Sequence, residues 1–153
     1  RHHYVKTSIK DKTDNIIKFL DQRGKERGII FCRTKAGTQN LSKQLLDEGF
    51  SVAALEGDMQ QKERDKVMRA FKNESLQFLV STDVSARGID VNNLAFVIQH
   101  QLPEQLEYYT HRSGRTARAG KSGTSLAFIL PSEIEKIHQI QKELQIKFTE
   151  VTV

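Results

Sequence analysis

Five short apolar runs, Gly28 to Cys32, Ser51 to Leu55, Leu76 to Val80, Leu94 to Ile98 and Thr124 to Leu130, recur along this chain with amphipathic stretches between them. A brief apolar run bounded by turn formers is the pattern of a strand covered on both faces, and such strands belong to parallel sheets flanked by helices. The intervening stretches have helical spacing. Ile9, Ile16, Ile17, Phe19 and Leu20 precede Arg23-Gly24-Lys25, where glycine is placed to end a helix, and Leu41, Leu45 and Leu46 precede Gly49. Gln60 to Phe71 carries Val67, Met68, Ala70 and Phe71; Pro103 opens a stretch with Leu106, Tyr108 and Tyr109; Pro131-Ser132 opens one with Ile134, Ile137, Ile140 and Leu144. Strand and helix alternate, so the expected fold class is α/β, a mostly parallel sheet with helices on both faces. Phe148 to Val153 suits an edge strand, and His2-His3 is assigned no role.

With 153 residues, no internal repeat and no low-complexity segment, the chain is expected to form one unit over 1–153 with room for a substantial core. Lys and Arg total 24 against 19 acidic residues, a net charge of +5 that leans toward polyanionic partners. One cysteine, Cys32, excludes an internal disulfide and a multi-cysteine zinc site, and its neighbours Ile29, Ile30 and Phe31 mark it as a buried, inert thiol. No apolar run approaches the roughly 20 residues needed to span a bilayer, and no signal peptide opens the chain. A soluble, cytoplasmic protein with no membrane partner is expected.

In an open α/β sheet, ligands gather beyond the carboxyl ends of the strands, so the loops there are where chemistry belongs. Ile29 to Thr34 ends a strand in Arg33 and Thr34, suited to a sugar-phosphate backbone, although Thr34 serves equally as the cap of the next helix. Glu56-Gly57-Asp58-Met59-Gln60-Gln61-Lys62-Glu63-Arg64 leads into a helix whose free N–H groups favour phosphate; Asp58 is a natural cap for it. Ser81 to Asp90 packs the hydroxyl pair Ser81-Thr82, Arg87 and two carboxylates around Gly88, and is readable as a nucleotide or a nucleic-acid contact, or as caps with one carboxylate paired to Arg87. His111-Arg112-Ser113-Gly114-Arg115-Thr116-Ala117-Arg118-Ala119-Gly120 sets cationic side chains among small residues, a poor core and a good phosphate grip. Arg115 and Arg118, three apart, share a face if helical.

The last decamer resembles motif VI of superfamily 2 helicases in the His-Arg form of DEAD-box RNA helicases, and Ser81 to Asp90 closely resembles motif V. Ile29 to Thr34 resembles motif IV, and Gly57 with Gln61-x-x-Arg64 resembles the motif between IV and V. The resemblance spans about residues 29–120. It implies a RecA-like, P-loop NTPase-type C-terminal domain of an ATP-dependent DEAD-box RNA helicase. Arg115 and Arg118 are then the arginine fingers, the catalytic residues; Gly88, Asp90, His111 and Arg112 serve ATP binding and domain coupling. Arg33, Thr34, Gly57, Gln61, Arg64, Thr82 and Arg87 face RNA. The family often carries histidine where this chain has Glu56, and glycine where it has Ala117, whose methyl is a small change.

The chain contains neither a Gly-x-x-x-x-Gly-Lys-Ser/Thr phosphate loop nor an Asp-Glu-Ala-Asp sequence. The resemblance therefore implies an upstream first RecA-like domain that completes the ATP site and holds Mg2+, no metal ligands in this chain, and an isolated domain that is monomeric, inactive and weak for RNA. Expected partners are that first domain and single-stranded or duplex RNA, held mainly by its backbone. Two rival functions are a non-catalytic RNA- or protein-binding module of the same fold and a DNA helicase domain.

Overall fold

The computed structural model describes residues 1–86, 94–114 and 123–153. Seven strands, β1 (His2–Lys6), β2 (Gly28–Cys32), β3 (Val52–Leu55), β4 (Phe78–Thr82), β5 (Phe96–Gln99), β6 (Thr124–Ile129) and β7 (Phe148–Glu150), form one sheet in the order β3-β4-β2-β5-β6-β1-β7. Every pairing is parallel. All carboxyl ends therefore lie along a single edge.

Among the described residues six α-helices connect the strands: α1 (Lys12–Asp21), α2 (Lys35–Asp47), α3 (Gln61–Lys72), the single turn α4 (Asp83–Ala86), α5 (Leu106–Ser113) and α6 (Ile134–Leu144). One face of the sheet packs Ile30, Cys32, Val80, Ile98, Leu126 and Phe128 against Ile16, Phe19 and Leu20 of α1 and Leu41 and Leu45 of α2. The other carries Ile29, Phe31, Leu79 and Val97 under Phe71 of α3, and Ala127 and Ile129 under Tyr109 of α5 and Ile137 and Ile140 of α6. The central strands are buried along their whole length, which is why their sequences run apolar without alternation.

Gly28 shows how tightly the first face is filled. It pairs across the sheet with Phe78 on one side and Phe96 on the other, and the two rings lie 5.9 Å apart, centroid to centroid. A Cβ at Gly28 would fall within the Phe96 ring, which is wedged edge-on against Phe19 at 5.2 Å. Gly28→Ala is expected to destabilise the domain by about 3 kcal/mol through overpacking, to be read from the shift in urea midpoint at constant m-value.

The alternation expected from sequence is present; β4 and β5 each start two residues later than their apolar runs, and four larger differences stand beside that shift. β1, unforeseen in a segment rich in histidine, lies between β6 and β7, where its side chains are mostly half-buried. Ile9 is 83% exposed, in a turn closed by Asp11 N–H donating to Ser8, so α1 begins only at Lys12. Pro103 lies three residues ahead of α5, and Pro131 opens a 3-10 turn, Pro131–Glu133, before α6. Gly49, at φ +91°, follows α2 in the left-handed conformation that glycine adopts at low cost. No described helix is long and apolar enough to cross a membrane.

Candidate nucleic-acid interface

Thr82, Arg33 and Gly57 come to the same edge because β4, β2 and β3 end there in register: Cys32 pairs with Thr82, and Leu55 with Ser81. A cleft of about 160 Å3 at this edge is lined by Arg33, Thr82, Asp83, Val84, Glu104 and Tyr108. The Arg33 guanidinium donates through Nε to the Leu102 carbonyl at 2.8 Å, while its Nη2 is buried with no hydrogen-bond partner among the described residues. A buried guanidinium nitrogen lacking an acceptor is costly, and an incoming oxygen would relieve it. Val84, 69% exposed, stands on the rim.

Thr34 caps α2: its Oγ1 accepts the Gly37 N–H at 2.9 Å. Gly57 is exposed on the next loop, and a Cβ there would approach only the Lys35 stem, at 3.8 Å. Lys35 bridges these two loops by its ion pair with Asp58 at 2.9 Å. Asp58 is thus not the cap expected of it; α3 starts from Gln60 with no side-chain cap, and the Asp58 N–H is itself held by the buried Glu56 carboxylate at 2.7 Å. Gln61 lies exposed at the first turn of α3, bonded to Asp65. Arg64, one turn further on, donates to the Ser85 carbonyl at 2.6 Å and ties α3 to α4. Thr82 Oγ1 accepts the Ser85 N–H at 3.1 Å, so that hydroxyl caps the short helix.

Arg112 is the largest fully buried side chain among the described residues, 1% exposed. Its fork takes Asp83 in a bidentate pair, Nε to Oδ1 at 2.5 Å and Nη2 to Oδ2 at 2.7 Å, while Nη1 reaches the Gln101 carbonyl at 2.6 Å and Gln99 Oε1 at 3.2 Å. The guanidinium carbon sits 5.4 Å from the Phe31 ring centroid. One cation so joins the loops that follow β4 and β5 over the end of β2. Asp83 is thus paired with Arg112, and every arm of Arg112 is engaged within the domain rather than turned to solvent. His111, its neighbour, is exposed beside Tyr108. Arg87, Gly88, Asp90, Arg115 and Arg118 lie outside the described residues.

Sequence reasoning passed over Lys35, Gln99, Gln101 and Ser125. Gln99 had a signal, an amide closing the otherwise apolar strand Phe96-Val97-Ile98. Lys12 was also missed. It is buried at the amino end of α1 and donates to the His100 carbonyl at 2.6 Å, with its pKa lowered by burial against an upward pull from Glu133. Burial, helped by the Lys12 charge, pushes the His100 imidazole down to about 4, and its Nδ1 is buried without a partner among the described residues. Burial likewise pushes the Cys32 thiol up to about 12, an unreactive group.

His100 makes the fold acid-sensitive. The unfolded imidazole takes its proton near pH 6.5 and the folded one near 4, so the unfolded state binds more protons between them. Stability is expected to fall as pH drops from 6.5 to 4, by about 3 kcal/mol from this group. Urea midpoints measured at pH 7 and pH 4.5 check it: the gap should be smaller in His100→Asn than in the wild type.

A parallel sheet of this order, with its polar loops gathered on one edge, defines a RecA-like domain. The chain belongs to the helicase conserved C-terminal domain family, whose model matches residues 11–120, and among its members it is a DEAD-box C-terminal domain. It is 43% identical over 136 residues to ATP-dependent RNA helicase FAL1 of Eremothecium gossypii, covering 89% of this chain and 34% of that protein. Its fold matches a DEAD box protein from the hyperthermophile Methanococcus jannaschii with a TM-score of 0.91 at 37% identity, over 98% of this chain and 41% of the other. It also matches S. cerevisiae Dbp5 bound to RNA and ADP BeF3, TM-score 0.91 at 30% identity, over 99% and 41%. The chain spans about a third of the length of the curated relatives it matches.

Proposed function

We propose that this domain, joined to a first RecA-like domain in its full-length protein, supplies half of the ATP site and half of the RNA site of an ATP-dependent RNA helicase. One structural fact carries this: the carboxyl edge gathers Arg33, Thr34, Gly57 and Thr82 at neighbouring strand ends, with Arg64 of α3 held to Ser85 beside them and Arg33 Nη2 buried and, among the described residues, unpartnered beside the cleft. Hydroxyls, a bare glycine backbone and arginines suit a sugar-phosphate chain and carry little sequence information. The Dbp5 complex with RNA and ADP BeF3, built on the same fold, supports the same assignment.

Arg33, Gly57, Gln61, Arg64, Thr82 and Arg87 are assigned to the RNA backbone, and Thr34 acts by capping α2 at that edge. Gly88, Asp90, Arg115 and Arg118 are assigned to the nucleotide. ATP, when bound, supplies the phosphoryl group whose hydrolysis powers the cycle, and Mg2+ ligation falls to the first domain. Arg115 and Arg118 would place positive charge where the transferring group gains negative charge. His111, exposed, would touch the other domain; Arg112 contributes from inside, by holding the β4 and β5 loops that the nucleotide edge is built on. A buried thiol as inert as Cys32 suits the cytoplasm we assign to it.

RNA-stimulated ATP hydrolysis by the full-length protein tests this, with the isolated chain as the silent control. Turnover that rises with RNA, with binding that weakens steeply as salt increases, is the expected result. Hydrolysis absent with or without RNA would leave a binding module, and equal stimulation by DNA would mark a DNA-directed enzyme.

A further inference from the structure

We propose that Gln99 is a positioning residue for that hydrolysis: a buried, two-sided amide that couples Arg112 to the carboxyl end of α5, from which the arginine segment departs. The inference rests on the function proposed above. Gln99 is fully buried in β5, in a row with Phe31 of β2 and Ala127 of β6. Among apolar neighbours an amide is retained only if both its ends are satisfied. Its oxygen accepts from Arg112 Nη1 at 3.2 Å and its amino group donates to Ser125 Oγ at 3.2 Å. A guanidinium has donors and no acceptor, so the oxygen end must face Arg112, and this commits the amino end to Ser125.

Ser125 carries the linkage back to the helix. Ser113 Oγ donates to Ser125 Oγ at 3.2 Å, and the buried Tyr109 hydroxyl lies 2.8 Å from His2 Nδ1 of β1. Arg112 and Ser113, in the last turn of α5, are thereby fastened to the β5–β6 pair by a polar network with Gln99 at its centre, while Tyr109 one turn earlier is tied to β1. Ser113 is the last residue of α5, and in sequence Arg115 follows two positions later and Arg118 five. The orientation of the carboxyl end of α5, after which those arginines follow in sequence, is thereby set from β5. Arg112 keeps Asp83 and the Gln101 carbonyl when Gln99 is changed, so the ion pair survives and the effect is one of alignment.

The test is steady-state kinetics of RNA-stimulated ATP hydrolysis by the full-length protein, comparing wild type, Gln99→Met, Ser125→Ala, the double variant and Arg118→Ala. Methionine keeps the volume and removes both hydrogen-bonding ends. We expect Gln99→Met to lower kcat at least tenfold with KM for ATP and the affinity for RNA within twofold. Ser125→Ala should lower kcat in the same direction, and the double variant should be no slower than the slower single one, since both cut one linkage. Unchanged kcat in both single variants overturns the proposal, as does a loss that tracks a fall in thermal midpoint and disappears on cooling. Should Gln99→Met fail to fold, Ser125→Ala and its split between kcat and KM decide. Failure of the underlying function is seen separately: wild type without RNA-stimulated turnover, or Arg118→Ala with full turnover, removes the premise and the proposal together.

Discussion

Alanine at Arg112 is expected to cost the domain 3–5 kcal/mol, the range for breaking one side of a buried ion pair, and so to consume much of the roughly 5–15 kcal/mol that holds a domain together. The loss comes less from the attraction removed than from what is left behind. Asp83, with its side chain only 15% exposed, would keep a carboxylate without its two strongest donors, and the Gln101 carbonyl and Gln99 oxygen would each lose a hydrogen bond in a space closed to water. Arg112→Lys restores the charge but not the fork, and one ammonium cannot reach Asp83, Gln99 and Gln101 together, so about half of the loss is expected to remain. Urea unfolding of the three proteins at pH 7 measures this. Asp83→Asn combined with Arg112→Ala should cost clearly less than the two single changes added, because each removes the same pair.

The second large effect is kinetic. Alanine at Arg115 or Arg118 in the full-length protein is expected to slow RNA-stimulated hydrolysis by about 10³ to 10⁵, the effect of an arginine aimed at a transferring phosphoryl group in related nucleotide hydrolases. RNA affinity should be little changed, because these side chains are assigned to the nucleotide. Single-turnover hydrolysis at saturating ATP, beside RNA binding by fluorescence anisotropy, separates the two. A tenfold loss of RNA binding with intact hydrolysis would move both arginines to the RNA side.

The sheet was legible because burial on two faces leaves little freedom: Ile29-Ile30-Phe31 and Phe78-Leu79-Val80 have to be strands between helices whatever the rest of the chain does. β1 was not, since His2, His3 and Tyr4 derive their strand conformation from β6 and β7, which lie far away in sequence. Thr34 illustrates the limit for site residues. A hydroxyl after a strand suits a helix cap and a phosphate contact equally, and only the 2.9 Å bond from Gly37 shows that the first is realised. Asp83 was more opaque still. The arginine that grips it lies 29 positions away on α5, brought there by the order β4-β2-β5 rather than by any local pattern.

The placement of β1 also governs the order in which the domain can assemble. Strands β2 to β5 pair chiefly with one another, but β1, which precedes them in the chain, pairs among the described residues with β6 and β7, which follow them, and His2 meets Tyr109 across 107 positions of chain. A nascent chain leaving the ribosome therefore carries an unpaired first strand until nearly all of the domain has been synthesised. Pairing of such distant segments is slow. The β3-β4-β2-β5 half of the sheet is expected to collapse early around the tilted Phe78–Phe96 pair, with closure of β6-β1-β7 as the late step, the interval in which the emerging chain is most exposed to aggregation and to chaperones.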